Sequence, residues 1–328
     1  MKKIIMSLLI LLVVILVGIK CSGDRQESLS NSMAAELALL PESSAGVGHI
    51  NIQNLRESPF YEMMQDNFSR TPFHSREYQE FMDATGIDLR KDIHEIYFGI
   101  SPRKEEEKAE FLAVIKGDFD PAKIMNYISG KEDYSEIMQE NYQGQPFYRI
   151  PEEQLAFSFV EQSRLILGKE GMVQAWLDEN SSGKKASLSA GLEKQIKSLK
   201  YKSGAWFTLD ARMFAEAFSE ELQRHSEGKH LQALEALQDF NFSMKADKKL
   251  WFSGIGNFSD NEKAKLFQDA LKGLIAAAKL SVSEDREAVN VLNKIGIRVK
   301  GKRVLLDFKM DKEDIDRLRA HRDKIALR

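Results

Sequence analysis

The sequence predicts an α+β chain of two tandem related domains, each an antiparallel sheet with helices packed on one face. Three observations carry this expectation. "SAGVGHINIQNL" and "KSGAWFTLDARM" each read as a strand leading into a helix, 157 residues apart. Gly117-Asp118-Phe119-Asp120 and Gly256-Asn257-Phe258-Ser259 each close a hairpin before a helix, at an offset of 139. Val160, Leu165, Ile166 and Leu167 fall on Val299, Val304, Leu305 and Leu306 at that same offset.

Each half therefore reads strand–helix, hairpin–helix, hairpin–helix. In the first, Ile50 and Ile52 alternate inward and Phe60, Met63 and Met64 mark the following helix. "IHEIYFGI" and "EFLAVIKGDFD" are strands joined by the charged loop "SPRKEEEK". Asp120 is placed to cap a helix that has Pro121 at its first position. "LAFSFVEQSRLILGKEGMVQAWL" is a hairpin and a helix, with Gly168 as a strand-end turn. In the second half, Phe207 and Leu209 alternate before a helix carrying Phe214, Phe218 and Leu222. "FNFSMKA" and "KLWFSGIGNFS" form its hairpin, and Ser259 with Glu262 reads as a capping box. "IGIRVKGKRVLLDFKMDKEDIDRLRAH" closes the chain as hairpin and helix. The fall in offset leaves about 18 extra residues in the first half, near "SRTPFHSREYQEFMDATGIDLRKD".

The front of the chain reads as an export signal. Lys2 and Lys3 precede a run of 16 residues, Ile4 to Ile19, that is apolar apart from Ser7 and Gly18. That is shorter than the roughly 20 residues that span a bilayer. Cys21, the single cysteine, sits where this run meets the polar stretch "SGDRQESLSNS". A lone cysteine forms no internal disulfide. Its position resembles a lipobox, with Lys20 standing where that pattern has a small residue. Three readings stay open: an acylated, palmitate-bearing lipoprotein, an uncleaved membrane helix, and an ordinary cleaved signal. All place the remainder outside the cytoplasm, and acyl chains on Cys21 would hold it at a bacterial membrane, facing the periplasm or exterior. The expected organisation is a signal peptide at 1–20, a flexible tether at 21–35, a first domain at 36–177, a linker at 178–191 and a second domain at 192–328.

"ELALLPESSAGVGHINIQNLRESPFYEMM", "GIDLRKDIHEIYFGI" and "FLAVIKGDFDPAKIMNYI" resemble a broad family of uncharacterised exported bacterial lipoproteins, a domain of unknown function. The likeness spans residues 36 to about 177 and, more loosely, the second half. It rests on packing and turn signals and implies no catalytic residues.

Composition narrows the function classes. Without Lys2, Lys3 and Lys20 the formal charge moves from −3 to −6, which disfavours nucleic acid as a partner. No catalytic residue, metal ligand or cofactor motif is selected. His225 and His230 in "HSEGKH" are five apart, which does not put them on one helical face. "SSGKKAS" lacks the glycine and hydroxyl of a phosphate loop, and no G-x-S-x-G elbow occurs. Glu105–Glu107 reads as a hairpin tip, and Asp311, Glu313 and Asp314 favour a helix start. The apolar residues of the first-half insertion, Phe68, Phe73, Tyr78, Phe81 and Met82, are candidates for a ligand-receiving groove. The expected function is a non-catalytic binding or envelope-assembly module, with an envelope protein or a lipid-like ligand as partner besides the membrane. A cell-envelope hydrolase and a carrier or sensor of lipid-like molecules are the alternatives.

Overall fold

The computed structural model describes residues 30–58, 61, 76–103, 108–131, 137–183, 188–197, 199, 204–213, 236–246, 249–314 and 316–317. These fall into two compact units, residues 30–54 and 76–197 in one, 55–61 and 199–317 in the other. The fold is α+β, and within each unit every neighbouring pair of strands is antiparallel.

The N-terminal unit opens with α1 (Asn31–Leu37), capped by the Ser30 hydroxyl, which accepts from Met33 N–H. Then come β1 (Gly46–Asn51) and α2 (Ile52–Arg56). Val47 and His49 are the buried pair of β1, while Ile50 is half-buried and Ile52 has already entered α2. The alternation expected at Ile50 and Ile52 is thus displaced onto the other face of the strand. Next are α3 (Arg76–Thr85), α4 (Leu89–Asp92), β2 (Ile93–Arg103) and β3 (Lys108–Gly117). Both strands extend into the stretch expected as a loop, and only residues 104–107 of it lie outside the description. Helix α5 (Pro121–Ser129) starts as expected, with Asp120 accepting from Lys123 N–H. A hairpin absent from the sequence reading follows, β4 (Met138–Tyr142) and β5 (Gln145–Ile150). The unit ends with β6 (Leu155–Val160), β7 (Arg164–Lys169), α6 (Glu170–Ser182) and α7 (Ala190–Ile196). Residues 178–182 therefore complete a helix, and Leu188 is buried. Gly168 lies within β7, paired with Leu112 and Ala156.

Strand order in this unit is β1-β2-β3-β7-β6-β5-β4. Register assigns its two faces. Leu112, Val114 and Ile166 are fully buried on one face, where Lys116 and Arg164 reach Glu36 of α1 and Arg149 reaches Glu170 of α6. Ile115, Leu165, Leu167, Phe157 and Phe159 lie on the other, in a core with Ile124 of α5 and Phe81 of α3. Helices thus cover both faces, which corrects the expectation of one helical face. The cause is in β3: Phe111 to Ile115 is a continuous apolar run, which suits a strand buried on both sides.

The C-terminal unit contains β8 (Ala205–Asp210), β9 (Leu237–Ala246), β10 (Lys249–Phe258), α8 (Asn261–Ser281), α9 (Arg286–Asn293), β11 (Gly296–Lys300) and β12 (Arg303–Asp311). Its strand order is β8-β9-β10-β12-β11. The cap of α8 is Asp260, accepting from Lys263 N–H, and not Ser259 as the sequence reading has it. Helix α8 packs by Ala264 and Phe267 on Phe258, Val304, Ile297 and Leu306.

Candidate functional site

Cys21, Phe68 and Phe73, together with His225 and His230, lie outside the described residues. Tyr78, Phe81 and Met82 of α3 are within them and are engaged in packing. Tyr78 is 8% exposed, donates to Asp88 at 2.9 Å and carries the Arg90 guanidinium over its ring. Burial, then the Asp88 hydrogen bond, pushes its hydroxyl up to about 12. Asp88 also takes a two-pronged grip from Arg90 Nε and Nη2 at 2.8 and 3.0 Å. Burial opposes its ionisation, but the hydrogen bonds from Arg90 and Tyr78 hold its carboxyl well below the usual range. Phe81 meets Tyr127 edge-on at 5.5 Å, and Met82 Sδ lies 3.9 Å from Arg90 Nη2.

A second cluster runs across the face of the sheet under α1. Arg164 Nη2 donates to Glu36 Oε1 at 2.9 Å, and Lys116 Nζ stands 3.7 Å from the same oxygen. Lys116 is also 3.3 Å from Glu95 Oε2, and His49 Nε2 is 3.4 Å from Glu95 Oε1. Glu36 is 3% exposed and His49 1%. The imidazole beside Glu95 is the main cause that lowers its pKa to about 2, with help from Lys116 and against burial. Burial raises the Tyr97 hydroxyl, and the adjacent Glu95 charge raises it further. Arg164, Glu36, Lys116 and Glu95 thus alternate in charge from β7 to β2, so each carboxylate has a cation within 3.3 Å. Among the described residues no three His, Cys, Asp or Glu side chains gather as metal ligands.

A ligand-sized depression is found on the C-terminal unit. Ile275 and Ala276 of α8, Ile295, and Ile297 of β11 line a shallow groove of about 390 Å3, rimmed by Lys272 and Lys279. Elsewhere on α8, Leu274 is 67% exposed and Leu280 76%, and at about 100° per residue Leu274 lies well away from the face that Lys272, Ile275, Ala276 and Lys279 present to the groove. Helix α8 is 21 residues long, yet its only buried residue is Ala264. Each leucine so exposed forgoes roughly 1–2 kcal/mol of burial. A groove lined by apolar side chains and two lysines suits an amphiphile or an apolar segment with an acidic end. The sequence carries a signal for this face: Lys265, Lys272 and Lys279 recur every seven residues, with "GLIAAA" between the last two.

No helix among the described residues is long and apolar enough to cross a membrane. No family model and no curated protein sequence matches the chain. A solved structure described as crystal form I of TP0453 is similar at 12% identity and a TM-score of 0.47, covering 92% of this chain and 99% of that one.

Proposed function

We propose that the chain is a membrane-tethered, extracytoplasmic, non-catalytic binding module built from two related halves. The observation that carries binding is the groove between α8 and β11, lined by Ile275, Ala276, Ile295 and Ile297 together with Lys272 and Lys279.

Strand order supports the internal repeat. β1-β2-β3-β7-β6 and β8-β9-β10-β12-β11 follow one connectivity. Residues 118–154 and 259–295 fill the same interval, 37 residues in each, with different elements. One half spends it on a short helix and the β4–β5 hairpin, the other on α8 and α9. The groove thus occupies the segment in which the halves diverge, which is where a duplicated scaffold acquires separate roles.

Lys272 and Lys279 at the rim favour a second, narrower reading, a carrier or sensor of lipid-like molecules with an anionic head. One experiment separates the two. A photoreactive amino acid is placed at Ala276, which lines the groove, in the full-length chain and activated in cells. A discrete polypeptide adduct supports an envelope partner, and an acyl-mass adduct supports a lipid-like ligand. If the probe captures nothing beyond solvent at Ala276 or, in turn, at Ile275, the groove is not a binding site.

A further inference from the structure

The β11–β12 hairpin carries four cations in six residues, Arg298, Lys300, Lys302 and Arg303, on a chain whose formal net charge is −3. Its turn is two residues long, with Gly301 at φ 60° supplying the positive first angle that a tight hairpin of this kind needs. The turn sets Lys300 directly opposite Arg303, and both side chains are exposed. Alternation places Arg298 on that face of β11, two residues from Lys300.

Like charges directly opposite each other across a ladder destabilise the pair. Neutralising groups nearby are committed elsewhere. Arg298 reaches Asp307 at 3.2 Å, Asp239 accepts from Asn241 and Asn257, and the residue paired with Arg303 on β10 is the neutral Asn257. Lys302 donates to the Ser259 carbonyl at 2.6 Å. Among the described residues no carboxylate forms an ion pair with Lys300 or Arg303. A guanidinium fork and an ammonium, side by side and turned to solvent, match an anion with several oxygens.

We propose that Lys300 and Arg303, flanked by Arg298, bind a phosphate-type oxyanion, free or carried on a headgroup. The test is thermal unfolding of the full-length chain in inorganic phosphate, or in glycerophosphoglycerol as a soluble diester headgroup, against sodium chloride at matched ionic strength. The wild type gains about 1–3 °C beyond the salt control. A gain with inorganic phosphate alone identifies free phosphate as the ligand, and a gain with the diester extends the site to headgroups. Lys300→Glu puts a carboxylate opposite Arg303, so its midpoint without phosphate lies above wild type while the phosphate response is lost. Arg303→Gln loses the response as well. No wild-type gain in either anion, or an equal gain in both variants, overturns the proposal.

Discussion

Arg164 and Glu36 are 128 residues apart in sequence and 2.9 Å apart in space, Nη2 to Oε1. The contact fixes the first described helix to the seventh strand. Glu36 is 3% exposed, whereas the Arg164 and Lys116 side chains retain 28% and 26%. That asymmetry sets an order of effects. Arg164→Ala leaves a buried carboxylate without its main partner and costs about 3 kcal/mol. Glu36→Gln removes the buried charge and leaves two cations that reach water, costing about 1–2 kcal/mol. Urea denaturation of both variants checks the order, and a larger loss for Glu36→Gln contradicts it.

The same cluster gives a pH dependence. Glu95 has a folded pKa near 2 against an ordinary 4.5. A lowered pKa stabilises the fold above the ordinary value, and that contribution drains away as pH falls from about 4.5 towards about 2. Unfolding free energy measured across that window falls more steeply in wild type than in Glu95→Gln, where no carboxylate remains to protonate. Parallel curves would mean that the His49–Glu95–Lys116 contacts carry no linkage.

Gly168 is required for a steric reason. A Cβ there would lie 2.3 Å from the Phe111 carbonyl oxygen and 2.9 Å from Leu112 Cα, both backbone atoms. Backbone cannot swing aside as a side chain does. Gly168→Ala is expected to cost about 1–3 kcal/mol by forcing β7 and β3 apart. A shift in the denaturation midpoint corresponding to less than a few tenths of a kcal/mol contradicts the packing described.

Leu274 and Leu280 behave in the opposite way. At 67% and 76% exposure they contribute little to the fold. Leu274→Ser with Leu280→Ser leaves stability within about 0.5 kcal/mol of wild type in urea denaturation. A large stability loss would place them in a core instead.

Legibility in the sequence followed local chemistry. The β2–β3 and β6–β7 hairpins, the Asp120 cap and the Gly117 strand end were readable because alternation, proline and aspartate act within a few residues, whereas β10 runs two residues past Gly256, to Phe258. The second helical layer was not, because "FLAVI" in β3 reads as an apolar run whether one face or both are covered. The β4–β5 hairpin escaped because "MQENYQGQPFYRI" is polar and its turn uses Gln143 and Gly144, at φ 51° and 81°, in place of the usual Asn-Gly. The cap of α8 moved by one residue because Ser259 and Asp260 both suit it, and the backbone at Asp260 is the one that turns in. The groove was hidden because a depression between α8 and β11 is tertiary: nothing local in "LKGLIAAAKL" says that Ile275 and Ala276 border Ile295 and Ile297.

The tether is the central claim, and mass at the N-terminus tests it most directly. The full-length chain and Cys21→Ser are expressed in a bacterial host fed a labelled fatty acid, and the intact N-terminal mass is taken. Label on the wild type alone, on a chain that begins at Cys21, is the result expected. An unlabelled wild-type chain still beginning at Met1 would contradict it.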